Sequence, residues 1–155
     1  MIIQVKIQGT WDITATDSVS SIAGTPIVTV MAAPASQFVV STDAATPDVA
    51  GTAFDVTVAA TDPYGNTDTH YQGTVTFSSA DPYGANLPAD YTFQPSDQGM
   101  ATFAGVTALY TAGTWDVTAT DTVSGITGAA LVNVQAAPAV ALQVVAPASA
   151  TSGAT

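Results

Sequence analysis

Hydrophobic and polar residues alternate along several short segments of the chain, and a period of two is typical of a β-strand with one buried face. The clearest case spans residues 53–61, where Phe54, Val56, Val58 and Ala60 fall on one side. No segment sustains the period of 3.6 that an amphipathic helix requires. The pattern therefore predicts an all-β protein.

The same alternation predicts further strands, separated by turn residues. They lie at 37–41, 74–78, 91–93, 100–109, 115–119 and 126–134, which makes seven or eight strands in all. Gly105 interrupts one strand and predicts a β-bulge there. Two Asp-Pro-Tyr-Gly turns lie at 62–65 and 81–84, and the second opens a predicted loop that ends at Asp90. The expected core comprises Phe54, Val56, Val58, Val75, Phe77, Phe103, Trp115 and Val117.

The chain repeats itself. Residues 9–35 and 113–139 are identical at 18 of 27 positions, at an offset of 113 − 9 = 104 residues. The match continues past the proline, since Phe38 aligns with Leu142 and Val40 with Val144. A period of about 104 residues is the size of one immunoglobulin-like β-sandwich.

The frame of the repeat predicts three parts. Residues 36–139 form one complete unit, residues 1–35 contain the last strands of a preceding unit, and residues 140–155 contain the first strand of a following one. Residues 1–8 match residues 105–112 poorly. The Ala-Ala-Pro-Ala segments at 32–35 and 136–139 are predicted to be short, semi-rigid linkers. We expect the incomplete ends to be unstable unless another sheet covers them.

Several segments of the complete unit resemble the bacterial immunoglobulin-like repeats of large surface proteins, of the invasin, intimin and filamin-like type. They are residues 52–66, 71–77, 87–93, 102–106 and 112–121. The resemblance implies an extracellular spacer, adhesin stalk or filament module rather than a catalyst. Neighbouring repeats or identical subunits are the implied partners, with a glycan or host-surface ligand as an alternative function. The repeats carry no Lys in the complete unit, so a self-formed Lys–Asn isopeptide bond is excluded there.

Composition narrows the function classes. One basic residue and twelve acids give a net charge of −11, and all twelve acids are Asp. Because phosphate neutralisation needs Lys or Arg, a nucleic-acid partner and an anionic membrane surface are excluded. No apolar run reaches the roughly 20 residues that span a bilayer. The chain has no Cys, which excludes disulfides and thiolate metal sites, and its composition favours an extracellular location.

Catalytic and metal-binding chemistry have few candidates. A triad of Ser79, His70 and Asp68 can be drawn, but we expect His70 to be an exposed residue at a strand edge. No cofactor is expected, with calcium as the chemical alternative. The residues that could supply its oxygen ligands are Asp62, Asn66 and Asp68 in one turn, Asp43 and Asp48 in another loop, and Asp121. The competing interpretation is that these side chains cap their own turns.

Four aromatic residues could contact a ligand. Trp11 and Trp115 occupy equivalent repeat positions, and the alternation of Trp115 with Val117 favours a core position over a sugar platform. Tyr64 and Tyr83 both lie in Asp-Pro-Tyr-Gly turns. We expect these tyrosines to pack over the end of the sandwich, with contact to a glycan or a neighbouring subunit as the alternative. The sequence assigns no specific binding or metal site.

Overall fold

The computed structural model describes residues 4–141, and within them the chain forms an all-β protein. The strands are β1 Gly9–Asp12, β2 Ala15–Thr16, β3 Ala23–Gly24, β4 Ile27–Val30, β5 Gln37–Thr42, β6 Asp48–Val49, β7 Phe54–Thr61, β8 Thr74–Ser78, β9 Ala85–Asn86, β10 Tyr91–Thr92, β11 Met100–Leu109, β12 Gly113–Thr120 and β13 Thr127–Gln135. A single 3-10 turn spans Pro95–Asp97. No helix in the described range has the length and hydropathy needed to cross a bilayer.

Strands β5–β13 form two sheets, which we call the two-sheet body (residues 36–135). One sheet has the order β10-β8-β12-β13-β6 and the other β5-β7-β11-β9. All pairs in these sheets are antiparallel except β13 with β6. The predicted bulge is present, because the register of β11 against β7 shifts between Phe103 and Thr107, and Gly105 has a φ of +62°.

The core lies between these two sheets and matches the alternation in the sequence. Phe54, Val56, Val58 and Ala60 of β7 are all buried. From the facing sheet, Val75 and Val117 are completely buried. Three other predicted core residues, Phe77, Phe103 and Trp115, are partly buried and pack against this core. The sequence pattern therefore identified the interior correctly.

Two short strands inside the predicted unit were missed. β6 is a two-residue parallel pairing of Asp48 and Val49 with Val134 and Gln135. β9 lies within the predicted loop 81–90 and pairs with the end of β11. Two residues are too few to show a period, and each strand depends on a partner that is distant in sequence.

Strands β1–β4 form a separate hairpin (residues 9–30) that repeats β12–β13 in register. Trp11 pairs with Val28 as Trp115 pairs with Val132, again at an offset of 104. The Trp11 Nε1 donates to the Ile7 carbonyl at 2.9 Å, and the Trp115 Nε1 donates to the Thr111 carbonyl at 2.6 Å. Although residues 1–8 diverge in sequence from 105–112, the equivalent hydrogen bond forms.

Candidate functional site

The loop of residues 61–68, which we call the Asp62 loop, is organised by one carboxylate. Asp62 Oδ1 accepts the backbone N–H groups of Tyr64 and Asn66, each at 2.9 Å. Asp62 Oδ2 accepts the Asn66 side-chain amide at 2.8 Å. Gly65 has a φ of +84°, which a residue with a Cβ adopts at a cost. These contacts fix the turn and bury both Asp62 and Asn66.

The environment of Asp62 favours its charged form. Burial raises the pKa of the Asp62 carboxyl, but the hydrogen bonds from Asn66, Tyr64 and Ala33 outweigh this effect and lower the pKa to about 2. A carboxylate that accepts several N–H groups is expected to stay ionised in this way. Asp62 therefore carries a negative charge at the base of the hairpin throughout the neutral range.

Asn66 joins the Asp62 loop to the segment that precedes β1. Its Nδ2 donates to the Lys6 carbonyl at 2.7 Å, and its Oδ1 accepts the Gln8 N–H at 2.8 Å. The Lys6 ammonium also lies 5.0 Å from the centre of the Tyr64 ring, within cation–π range. These groups are about 60 residues apart in sequence, so the contacts couple the hairpin to the two-sheet body.

The linker is held by the same loop. Asp62 Oδ2 accepts the Ala33 N–H at 3.2 Å, and Asp68 Oδ2 accepts the Ala35 N–H at 3.0 Å. Pro34 lies between these two donors and restricts the backbone. Together with the two bonds of Asn66, four backbone groups of residues 4–35 are bound by three side chains of one loop.

His70 lies beside this junction but does not form the triad drawn from the sequence. It is exposed, and its Nδ1 lies 3.5 Å from the Thr69 hydroxyl. Asp68 contacts the backbone N–H of His70 at 3.0 Å rather than its ring. Within residues 4–141 no hydrogen bond joins His70 to Ser79. The cleft between hairpin and body, about 470 Å³, is lined partly by His70, Met31 and Gln8.

Several of the acids considered as calcium ligands accept hydrogen bonds from other parts of the protein. Asp43 Oδ1 accepts the Asp55 N–H at 2.6 Å. Asp121 accepts the N–H of Val123 at 2.8 Å and the Ser124 hydroxyl at 2.7 Å. Asp48 is 3% exposed, and its Oδ2 has no hydrogen-bond partner in the described range. Within residues 4–141 no three His, Cys, Asp or Glu side chains are grouped to hold a metal ion.

The Asp121 turn also anchors an aromatic residue of the core. The Tyr71 hydroxyl donates to Asp121 Oδ2 at 2.7 Å. Burial raises the pKa of Asp121, but this bond and those from Ser124 and Val123 outweigh it and lower the pKa to about 2. In the hairpin, Asp17 occupies the equivalent position and binds the Val19 N–H at 2.9 Å and the Ser20 hydroxyl. Within residues 4–141 no tyrosine donates a hydrogen bond to Asp17.

The hairpin has an apolar face with no covering sheet in the described part of the chain. Ile22 is 71% exposed, whereas its equivalent Ile126 is 8% exposed in the two-sheet body. Trp11 is 41% exposed, whereas Trp115 is partly buried against the core. The alternation in the sequence favoured a core position for Trp115 and its equivalent Trp11, and in the hairpin Trp11 is only partly covered. The difference arises because the body has a second sheet over this face.

The second Asp-Pro-Tyr-Gly turn lies at the opposite end of β12 and β13 from the Asp121 turn. Asp81 Oδ2 accepts the N–H groups of Tyr110 and Thr111 at 2.6 and 3.1 Å. The Tyr83 and Tyr110 rings lie 5.9 Å apart, and Tyr83 remains 83% exposed. This turn therefore binds the residues before β12, as the Asp62 loop binds those before β1.

Sequence reasoning grouped Asp62, Asn66 and Asp68 correctly but did not find their partners. The partners are backbone groups of Lys6, Gln8, Ala33 and Ala35. Backbone groups leave no residue-type signal, so no pattern in the sequence points to them. The recurrence of Asp-Pro-Tyr-Gly at 62–65 and 81–84 was the available signal.

Comparison with known proteins identifies no family. No protein-family model matches the chain, and no curated protein matches it in sequence. In structure, it is similar to part of a solved chain titled "Apo structure of Bacteroides uniformis beta-glucuronidase 3", with 14% sequence identity and a TM-score of 0.48. The match covers 81% of this chain and 16% of that chain. The likeness concerns the arrangement of β-strands only.

Proposed function

We propose that the chain is a segment of a tandem array of immunoglobulin-like β-sandwiches and that its role is structural. In this proposal the array is a spacer or assembly module of a bacterial surface adhesin, stalk or filament. Its partners are neighbouring repeats or identical subunits, and it carries no catalytic site. The location is extracellular, at the bacterial cell surface.

The single observation that carries this proposal is the hydrogen-bonded junction between two copies of the repeat. The hairpin copies β12–β13 in sequence and register, and the Asp62 loop binds four backbone groups in the two segments that flank it. A spacer needs successive units held at a defined orientation, and such a junction provides it. The high net negative charge supports solubility outside the cell.

Two measurements test the proposal. Chains that continue after Ala139 with one, two or three further copies of residues 36–139 should lengthen steadily in small-angle X-ray scattering. Because β11 has 10 residues, each copy should add about 30 Å or more at about 3.3 Å per residue. A maximum dimension that stays constant as copies are added would show a collapsed assembly and contradict a spacer. Antibody labelling of intact cells, compared with permeabilised cells, tests the surface location.

A glycan-binding module is the second candidate, and the exposure of Tyr83 and Tyr64 favours it. The two residues are 83% and 51% exposed, and exposed aromatic rings can stack on sugars. A glycan array probed with the protein and with the variant Tyr83→Ala separates the two candidates. Binding that the variant loses would support the module.

A further inference from the structure

We propose that the end of the two-sheet body around Tyr110 is a docking surface for the Asp62 loop of a further copy of this repeat. The proposal rests on the tandem architecture proposed above, and it does not depend on the cellular location. It follows from the offset of 104 residues, which maps the occupied groups that flank the hairpin onto unoccupied groups that flank β12 and β13.

The occupied surface consists of four backbone groups. They are the Lys6 carbonyl and the N–H groups of Gln8, Ala33 and Ala35. Adding 104 to each number gives Tyr110, Ala112, Ala137 and Ala139. All four of these residues are exposed.

The equivalent groups are available at the far end. Within residues 4–141 neither the Tyr110 carbonyl nor the Ala112 N–H is hydrogen-bonded to another residue. The two linkers also differ in burial, since Ala35, whose N–H binds Asp68, is half-buried and Ala139 is exposed. A site that is filled at one junction is therefore open at the other.

The part of the open surface next to β12 is already fixed in the structure. The register of β12 with β13 equals that of β1 with β4, and the tryptophan of each pair binds the equivalent carbonyl. Asp81 fixes the Tyr110 and Thr111 backbone at 2.6 and 3.1 Å. Because the Tyr110 backbone is held before docking, little of its conformational entropy is lost when a partner binds.

An aromatic contact should accompany the hydrogen bonds. At the filled junction the Lys6 ammonium lies over the Tyr64 ring. The equivalent of Lys6 is Tyr110, whose ring already contacts the exposed Tyr83. The tyrosine of an incoming Asp-Pro-Tyr-Gly turn would thus extend an aromatic pair, which contributes apolar area as well as ring–ring contact.

The hydrogen-bonding groups of the surface determine which partner it can bind. Three of the four groups are N–H donors, so they require the carboxylate and amide oxygens that Asp62, Asn66 and Asp68 present. The Asp62 loop of the same chain is engaged by residues 6–35. The occupant is therefore the equivalent loop of another copy.

The test uses the chain continued after Ala139 by a second copy of residues 36–139, compared with the original chain. Amide hydrogen exchange is followed by NMR at Ala112, Ala137 and Ala139. We expect each amide to exchange at least about tenfold more slowly in the extended chain, because a new hydrogen bond must open first. Equal exchange in both chains, with both copies folded, would overturn the docking surface.

Two variants of the extended chain locate the contact. In the first, alanine replaces the asparagine of the added copy that is equivalent to Asn66, and Ala112 should lose its protection. The matched control replaces the asparagine equivalent to Asn133, which is exposed on β13, and should leave the protection intact. If the first variant fails to fold, Ala137→Pro removes one donor from the linker without altering the loop and should also weaken protection at Ala112.

These outcomes are separable from the spacer proposal. Unprotected amides in a chain that still lengthens in scattering would overturn the docking surface and leave the spacer standing. Protected amides in a protein found inside the cell would support docking and contradict the surface location.

Discussion

Trp11 and Trp115 occupy equivalent repeat positions but differ in burial. Comparing their substitutions measures how much a covering sheet contributes to stability at this position. Trp115 packs against the core, whereas Trp11 is 41% exposed. We expect Trp115→Ala to lower the free energy of unfolding by about 3 kcal/mol, the low end for a buried Trp because its ring is partly exposed. Trp11→Ala should cost under about 1 kcal/mol. Urea unfolding followed by circular dichroism measures both, and equal losses would contradict the assigned core.

The Tyr71–Asp121 pair predicts a pH dependence at the residue scale. Asp121 has a pKa of about 2 in the folded protein, below its ordinary value of about 3.9. A lowered folded pKa stabilises the fold above the unfolded value, and this contribution is lost as pH falls from about 5 to about 2. Acid should therefore destabilise the two-sheet body in that window.

Removing the Tyr71 hydroxyl should flatten this dependence. Tyr71→Phe deletes a donor to a charged acceptor, so we expect a loss of about 1.5–3 kcal/mol at pH 7. The loss should shrink towards pH 2, where Asp121 becomes protonated. Tyr83→Phe, at an exposed ring, is the control and should change little. A Tyr71→Phe deficit that stays constant across this range would contradict the role of Asp121.

The burial of some single residues could be predicted from the sequence, and that of others could not. The burial of Val56, Val58 and Val117 followed from alternation alone, because a strand in a sheet that packs on another sheet buries every second side chain. The partial exposure of Trp11 did not follow from its own pattern, which is that of Trp115. Burial of this tryptophan depends on a second sheet that packs over it, and the local sequence does not indicate whether that sheet is present.

At the scale of elements, the Asp62 loop holds the only trypsin site of the chain. Trypsin cleaves after Lys or Arg, and Lys6 is the single basic residue of that kind. Because Asn66 binds the Lys6 carbonyl, we expect Asn66→Ala to speed cleavage after Lys6 by about tenfold, as local opening becomes easier. Mass spectrometry of a time course measures the rate.

The control for this experiment is Asn133→Ala, the same change at an exposed position on β13. It should cleave at the wild-type rate. In every variant residues 7–155 should survive, since they contain no Lys or Arg. Equal cleavage rates for the two variants, with melting temperatures unchanged, would show that Asn66 does not restrain the segment.

Elements also divide into those the sequence predicts and those it does not. β7, β8 and β11 were found close to their observed bounds because each has its own alternation and turn signals. β6 and the contacts of the Asp62 loop arise from pairings of distant segments. Such pairings depend on how the sheets pack, which a local pattern does not encode.

At the scale of the whole molecule, the net charge of −11 raises the question of whether the Asp side chains bind cations. Thermal melting with added cations distinguishes ligation by these side chains from general charge screening. The oxygens of Asp62 and Asp121 already accept N–H and O–H groups. We therefore expect millimolar calcium and magnesium, at matched ionic strength, to shift the melting temperature equally through screening. A rise with calcium alone would indicate ligation by these turns.

The exposed apolar face of the hairpin predicts that a complete preceding unit would bury it. Ile22 and Trp11 are exposed where Ile126 and Trp115 are covered by the second sheet. A two-stranded hairpin alone is marginal in water, so this face should become ordered and buried when its sheet is supplied. The direct test places a copy of residues 36–112 immediately before Gly9, which restores a full unit at the period of 104.

In that chain Trp11 should resemble Trp115. With Trp115 replaced by Phe, the remaining fluorescence reports Trp11, and we expect its emission to shift to the blue and its quenching by acrylamide to fall. The isoleucine contact is checked by Ile22→Asp, which should be tolerated in the original chain but should destabilise the restored unit, because a charge would then be buried without a partner. If Trp11 stays exposed and the added segment remains unfolded, residues 9–35 are not the closing strands of a preceding sandwich, and the tandem frame is wrong.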